Sequence, residues 1–168
     1  MAVLEIICYP DERLKQESES VDVFDQALKD FVADLEETRL AGPGAVGIAA
    51  PQVGMPKRIA IVDVSTLKKP VDNHGYLLMI NPEITKWEGM EKGREGCLSV
   101  PDFTGNVIRA EKINIRFQNT DAKWTEFEAN GYEARAIQHE MDHLDGMLFL
   151  DRLVSRRTDL FQRKVYKK

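Results

Sequence analysis

The sequence predicts an α+β fold: mostly antiparallel sheets packed around a central helix, with N- and C-terminal helices. Three observations predict it: an amphipathic helical segment near residue 25, a middle region of short alternating runs, and a return to helical spacing from Tyr132. In the first segment Leu28, Phe31, Val32 and Leu35 recur at helical spacing behind Asp25, a residue type suited to an N-cap, so a helix is expected over about residues 25–40. The stretch "GPGAVGIAAPQVG" then breaks the helix and makes a loop of small residues that another backbone or a ligand can approach closely.

The runs "RIAIVDVS", "YLLMINPEI", "KINIRFQN" and "TEFEANG" are short, β-branched or alternating, and bounded by turn residues, which reads as antiparallel strands. From Tyr132 the helical pattern continues to about Asp145, with Gly146 as its stop. A final helical stretch, "VSRRTDLFQRKVYKK", ends in clustered Lys and Arg, which reads as a solvated face in preference to an RNA-contacting tail.

At 168 residues the chain is expected to form one domain, residues 1–168, with about 70% of its unfolded surface buried. Its net charge of −5 disfavours a DNA partner or any general nucleic-acid binder. Two cysteines are too few for a disulfide framework, and no run reaches the length of apolar sequence that a bilayer requires. No signal peptide is legible at the start. A reducing cytoplasm is the expected compartment, or an organelle matrix after processing.

Chemistry enters with "QHEMDHLDG". His139 and His143 lie one turn apart on a helix and suit adjacent corners of a metal site, while Glu140, turned about 100° away, reaches a water without being a ligand. The third ligand must come from elsewhere. The extended protease pattern fails because Phe149 stands where its last histidine belongs, and neither glutamate nor histidine follows His143. Asp145, Asp151 and Asp159 survive as carboxylate candidates, Asp151 being the least awkward. Upstream, His74 reads as a surface loop residue and Cys8 as a buried hydrophobe, whereas Cys97 sits in "EGCLSVP" beside the small Gly96. Cys97 is therefore the best choice, giving two nitrogens, one sulfur and an open fourth position.

With Cys97 joined to "QHEMDH", the chain resembles the peptide deformylases, metal hydrolases that remove the N-terminal formyl group from nascent polypeptides. "GIAAPQ", "EGCLS" and "QHEMDH" carry the resemblance, and "CYPDERL" and "VIRAEKI" extend it over essentially the whole chain. It implies Cys97, His139 and His143 as metal ligands, Glu140 as general acid/base, and Gln52 with the backbone N–H of Leu98 as an oxyanion site. It implies Fe²⁺ as the physiological metal, with Zn²⁺, Ni²⁺ or Co²⁺ able to substitute, and formylated nascent peptides as substrates; a ribosome contact, if made, would run through the basic C-terminal helix. Substrate backbone would pair with Val46, Gly47 and Gly96. Tyr132 and Ala136 share a helical stripe with the histidines and would line a pocket for a methionine side chain; Glu95 and Arg109 would brace the cysteine loop.

Four positions depart from the family pattern. Ala45 replaces a glycine, Gly93 and Arg94 replace a larger apolar residue and an acid, and Thr104 replaces an arginine found in some members; a more open pocket is expected. The rival readings are a zinc endopeptidase using Asp151 and a non-catalytic protein that keeps metal as a structural staple.

Overall fold

The computed structural model describes residues 2–163. Helix α1, Gln26–Ala41, begins where the sequence places it: the Asp25 side chain accepts from the Leu28 N–H at 3.0 Å, satisfying one of the free donors of the first turn. Five strands follow in one antiparallel sheet: β1 (Gly47–Ala49), β2 (Ile59–Val62), β3 (Leu77–Glu88), β6 (Lys112–Gln118) and β7 (Trp124–Asn130), in spatial order β1-β2-β3-β6-β7. The strand β2 is apolar throughout because it is covered on both faces. Ile59 and Ile61 pack with Leu28 and Leu35 of α1, and Ala60 and Val62 pack on the opposite side with Met79, Ile113, Ile115 and Ile137. Pro82 within β3 has no N–H to give, and the register shifts there; Asn81 takes φ 50° and ties its side chain to both backbone groups of Val21.

Helix α2, Gly131–Leu144, supplies that opposite cover and is buried along almost its whole length. It ends at Gly146, whose φ of 75° and close approach to the Lys15 carbonyl leave no room for a side chain. A second, three-stranded sheet of β4 (Glu91–Cys97), β5 (Val100–Arg109) and β8 (Leu160–Gln162), in spatial order β4-β5-β8, flanks the other side of α2. Its apolar side packs Val100 and Val107 with Ile7, Leu14, Leu148 and Phe149.

The α+β class stands as the sequence predicts, with differences in its elements. Strands β1, β4 and β5 go unread in the sequence because β1 is short, and "EKGREGC" and "VPDFTGNVIR" mix glycine, proline and charge on a half-exposed sheet. The stretch from Val154, read as helical, instead makes turns and then β8, whose residues pair with Phe103–Gly105. Its Leu, Phe and Gln complete a sheet edge, and that pairing overrides a weak local helix propensity. The basic residues beyond Arg163, on which a ribosome contact would largely rest, lie outside the described residues. Among the described residues no helix is long and apolar enough to cross a membrane.

Candidate metal centre

Two elements converge to make the site. Strand β4 alternates, so Glu95 and Cys97 point inward while Arg94 and Gly96 face out, and α2 brings His139 and His143 to the same point on one face. The Cys97 Sγ and one nitrogen of each histidine lie within 4.8 Å of one another, all three residues being buried. Cys97 Sγ stands 3.4 Å from His143 Nε2. The Nδ1 of His139 bonds the Glu95 carboxylate at 2.8 Å, which leaves its Nε2 for the cluster. Burial, with the neighbouring His139, holds His143 well below its ordinary pKa, so it presents a neutral imidazole. A thiolate sulfur and two imidazole nitrogens are the donor set of a divalent metal, and three protein ligands leave a position open. Among the described residues this is the one such group.

Glu140 lies beside it. Its Oε1 is buried, 3.9 Å from His143 Nε2, and has no hydrogen-bond partner. Burial pushes its carboxyl up to about 7, with the charges of Glu95 and Asp142 adding to the effect and those of His139 and Arg109 opposing it. Gly47 lies against this carboxylate: a Cβ there would collide with the Glu140 side chain, so the glycine of "GIAAPQ" makes room for the acid. Gln52, also buried, accepts from the Ala49 N–H at 2.9 Å and turns its amide nitrogen to Ser99 Oγ at 3.0 Å and Cys97 Sγ at 3.4 Å.

The predicted Glu95–Arg109 pair is the centre of a buried charge network. Arg109 grips Glu95 with two nitrogens, at 2.8 and 2.9 Å, and reaches Asp142 at 2.5 Å with a third. Burial alone would raise the Glu95 carboxyl, but the hydrogen bonds from Arg109 and His139 outweigh it and hold it well below the usual carboxylate range. Sequence reasoning did not find Arg135, which donates to Glu95 at 2.7 Å and to the carbonyls of Val107 and Glu91, or Asp142, which also receives Arg152. A signal was present: both are charged residues on a helix already expected to be central, seven residues apart, where a solvated position is hard to provide. Arg135 also corrects the expectation of a more open pocket at Gly93. Its guanidinium fills that space, since a Cβ on Gly93 would lie 2.9–3.1 Å from it.

An open cleft with a cavity volume of about 520 Å³ gives access to the cluster. Val46, Gly47, Gln52, Gly96, Leu98, Tyr132 and Ala136, all predicted, line it together with Glu95, Cys97, His139 and Glu140. His143 is deeper, and Arg109 lies behind Glu95. Ala45 causes no strain, for its φ is not in the left-handed region and the preceding Gly44 takes the positive φ of 66°. The other ligand candidates are occupied elsewhere. His74 stacks on Phe127 and pairs with Glu133, Asp145 pairs with Arg58, Asp159 with Lys92, and Asp151 accepts from the Leu148 N–H at 2.9 Å. Cys8, expected to be buried, is exposed, because its segment runs along the surface beside Leu98 and Ser99.

Comparison with known proteins agrees with this geometry. The family model described as polypeptide deformylase matches residues 3–159. The chain is 41% identical to the peptide deformylase of Acidobacterium capsulatum, over 99% of this chain and 96% of that one. It is 42% identical to peptide deformylase 1 of Bacillus subtilis, over 95% of each. Among solved structures, the peptide deformylase of Thermotoga maritima superposes with a TM-score of 0.84 at 35% identity, covering 92% of this chain and all of the other. That of Ehrlichia chaffeensis in complex with actinonin gives 0.86 at 36% identity, covering 94% and 91%.

Proposed function

The chain belongs to the polypeptide deformylase family, metal-dependent hydrolases that remove N-terminal formyl groups, and we propose how its own residues divide that work. Cys97, His139 and His143 hold the metal, with Glu95 fixing the His139 ring through Nδ1. A divalent cation bound there polarises a carbonyl and lowers the pKa of water toward neutrality. Glu140 takes the proton of the attacking water and returns it to the leaving amine. A carboxyl raised by burial to about 7, as that of Glu140 is, is a better proton donor and acceptor near neutral pH than an exposed one.

Gln52, held by Ala49, and the backbone N–H of Leu98 would donate to the oxyanion as the formyl carbonyl is attacked, the Gln52 amide giving up its weak contact with Cys97 Sγ to do so. The substrate chain pairs with backbone at Val46, Gly47 and Gly96, and its first side chain enters the pocket between Tyr132 and Ala136. Burial raises the Tyr132 hydroxyl, so that side chain is neutral and serves as a wall. Ferrous iron is the physiological ion of this reading, with Zn²⁺, Ni²⁺ or Co²⁺ able to replace it. The work is that of one catalytic domain over residues 1–168, in the compartment where nascent chains are made.

The observation that carries these roles is the unpartnered, buried Glu140 Oε1 beside three convergent ligands, which a structural staple would have no use for. The test is formate release from formyl-Met-Ala-Ser by protein prepared without oxygen and loaded with Fe²⁺ or Ni²⁺. Glu140→Ala should keep the metal and lose at least about 10²-fold in kcat, while Cys97→Ser should lose metal and activity together. Full activity in either variant overturns the assignment. Survival of Cys97→Ser in particular would restore the Asp151 alternative.

A further inference from the structure

The floor of the cleft carries balanced charge, whereas its outer rim does not. Glu95 is paired with Arg109 and Arg135, and Glu140 sits at the reaction centre, so no lining carboxylate is left to face the two arginines at the mouth, Arg94 and Arg163. Both are exposed, and among the described residues neither makes an ion pair, in a chain whose net charge is −5. Their placement is built by the fold. Strand alternation sends Arg94 and Gly96 to the same outer face of β4, and β8 brings Phe161 beneath Arg94, whose guanidinium lies 3.7 Å from the ring centroid. Stacking of this kind fixes the plane of the guanidinium and leaves its N–H edges pointing outward. Arg163, just past β8, reaches over Gly96, its Nη2 2.6 Å from where a Cβ of Gly96 would stand, and Thr104 next to it adds no charge.

We infer that Arg94 and Arg163 form a carboxylate-reading rim, which makes this enzyme favour formylated peptides carrying a negative charge on the third residue. The inference rests on the substrate pairing given above, with the added step that the chain, having placed its first side chain between Tyr132 and Ala136, runs outward along Gly96. A strand advances about 3.3 Å per residue and alternates its side chains, so the third side chain follows the first by two steps, at the rim beyond Gly96. Guanidinium groups prefer carboxylates, to which they donate two parallel N–H bonds. The carboxylate can be a Glu or Asp side chain or the free end of a tripeptide.

The test compares kcat/KM of the metal-loaded full chain on formyl-Met-Ala-Glu-amide, formyl-Met-Ala-Gln-amide and formyl-Met-Ala-Gln with a free terminus. Glu should exceed Gln about two- to five-fold in the amides, through KM, as expected for exposed charge pairs. The advantage should shrink as salt is raised and vanish in the Arg94→Gln/Arg163→Gln double variant, whose rate on the neutral amide stays at the wild-type value. A gain limited to the free terminus would assign the rim to the ends of short peptides. Equal rates on all three peptides, or a preference that persists in the double variant, would overturn the rim while leaving the deformylase reading intact. No formate from any of them would overturn both.

Discussion

Helix α2 is held in two different ways on its two sides. Toward the five-stranded sheet it presents Ala134 and Ile137, which pack among Val62, Met79, Ile113 and Ile115 with no polar atom involved. Toward the three-stranded sheet it presents Arg135, His139 and Asp142, which meet Glu95 and Arg109 through hydrogen bonds of 2.5–2.8 Å. Apolar packing contributes stability but tolerates small slides, because dispersion and burial depend weakly on direction. A carboxylate that accepts from two guanidinium groups and an imidazole is directional, and it sets the angle at which His139 faces Cys97. The first contact holds the helix in the protein; the second aims its ligands.

Variants can break that division. Glu95→Ala should have the largest effect. It strips one side of the network and leaves Arg109 and Arg135 buried beside each other, costing about 3–5 kcal/mol in denaturant unfolding and about 10–100-fold in metal affinity by competitive chelation. Ile137→Ala, at a fully buried site, should cost about 2–5 kcal/mol in the same unfolding experiment. Its metal affinity and kcat per folded molecule should match wild type; a parallel loss of metal would show that apolar packing also aims the ligands.

Arg152→Ala sharpens the comparison, since Arg152 is half-exposed and Asp142 keeps Arg109. A loss of about 0.5–1 kcal/mol is expected, with normal metal content by elemental analysis. Smallest of all is Glu19→Ala, which removes the exposed pair with Lys57 and should shift stability by less than about 0.5 kcal/mol.

What the sequence made legible follows from the same division. Helix α1 with its Asp25 cap, the strands of the five-stranded sheet and α2 with its Gly146 stop leave periodic patterns or turn signals, and all except the short β1 could be read. The three residues that converge in the candidate metal centre could be read too, because H-E-x-x-H is a local pattern and only a few residues could complete it. The ionic side could not: Arg135 and Asp142 look like ordinary helix-surface charges until β4 is laid against them, and β4 itself, with alternate residues in solvent, has no apolar run. Likewise the space over Gly93 reads as empty from one strand and is filled from another element. Long-range polar contacts have no period, so they appear only once the chain is folded.

The order of the ligands along the chain also bears on how the protein is made. Cys97 ends a hairpin strand, but His139 and His143 arrive only with α2, and β8, which completes the three-stranded sheet, follows later still. During synthesis the thiol of Cys97 therefore precedes its partners, so a metal held by all three residues could be captured only once α2 has been made. A site that binds metal only when assembled gains RT ln(1 + [M]/Kd) in stability, about 2.7 kcal/mol at a free metal level one hundred times Kd. A cell short of the metal would then be left with chains that are idle and also shorter-lived, so metal supply would set the standing amount of the enzyme as well as its activity.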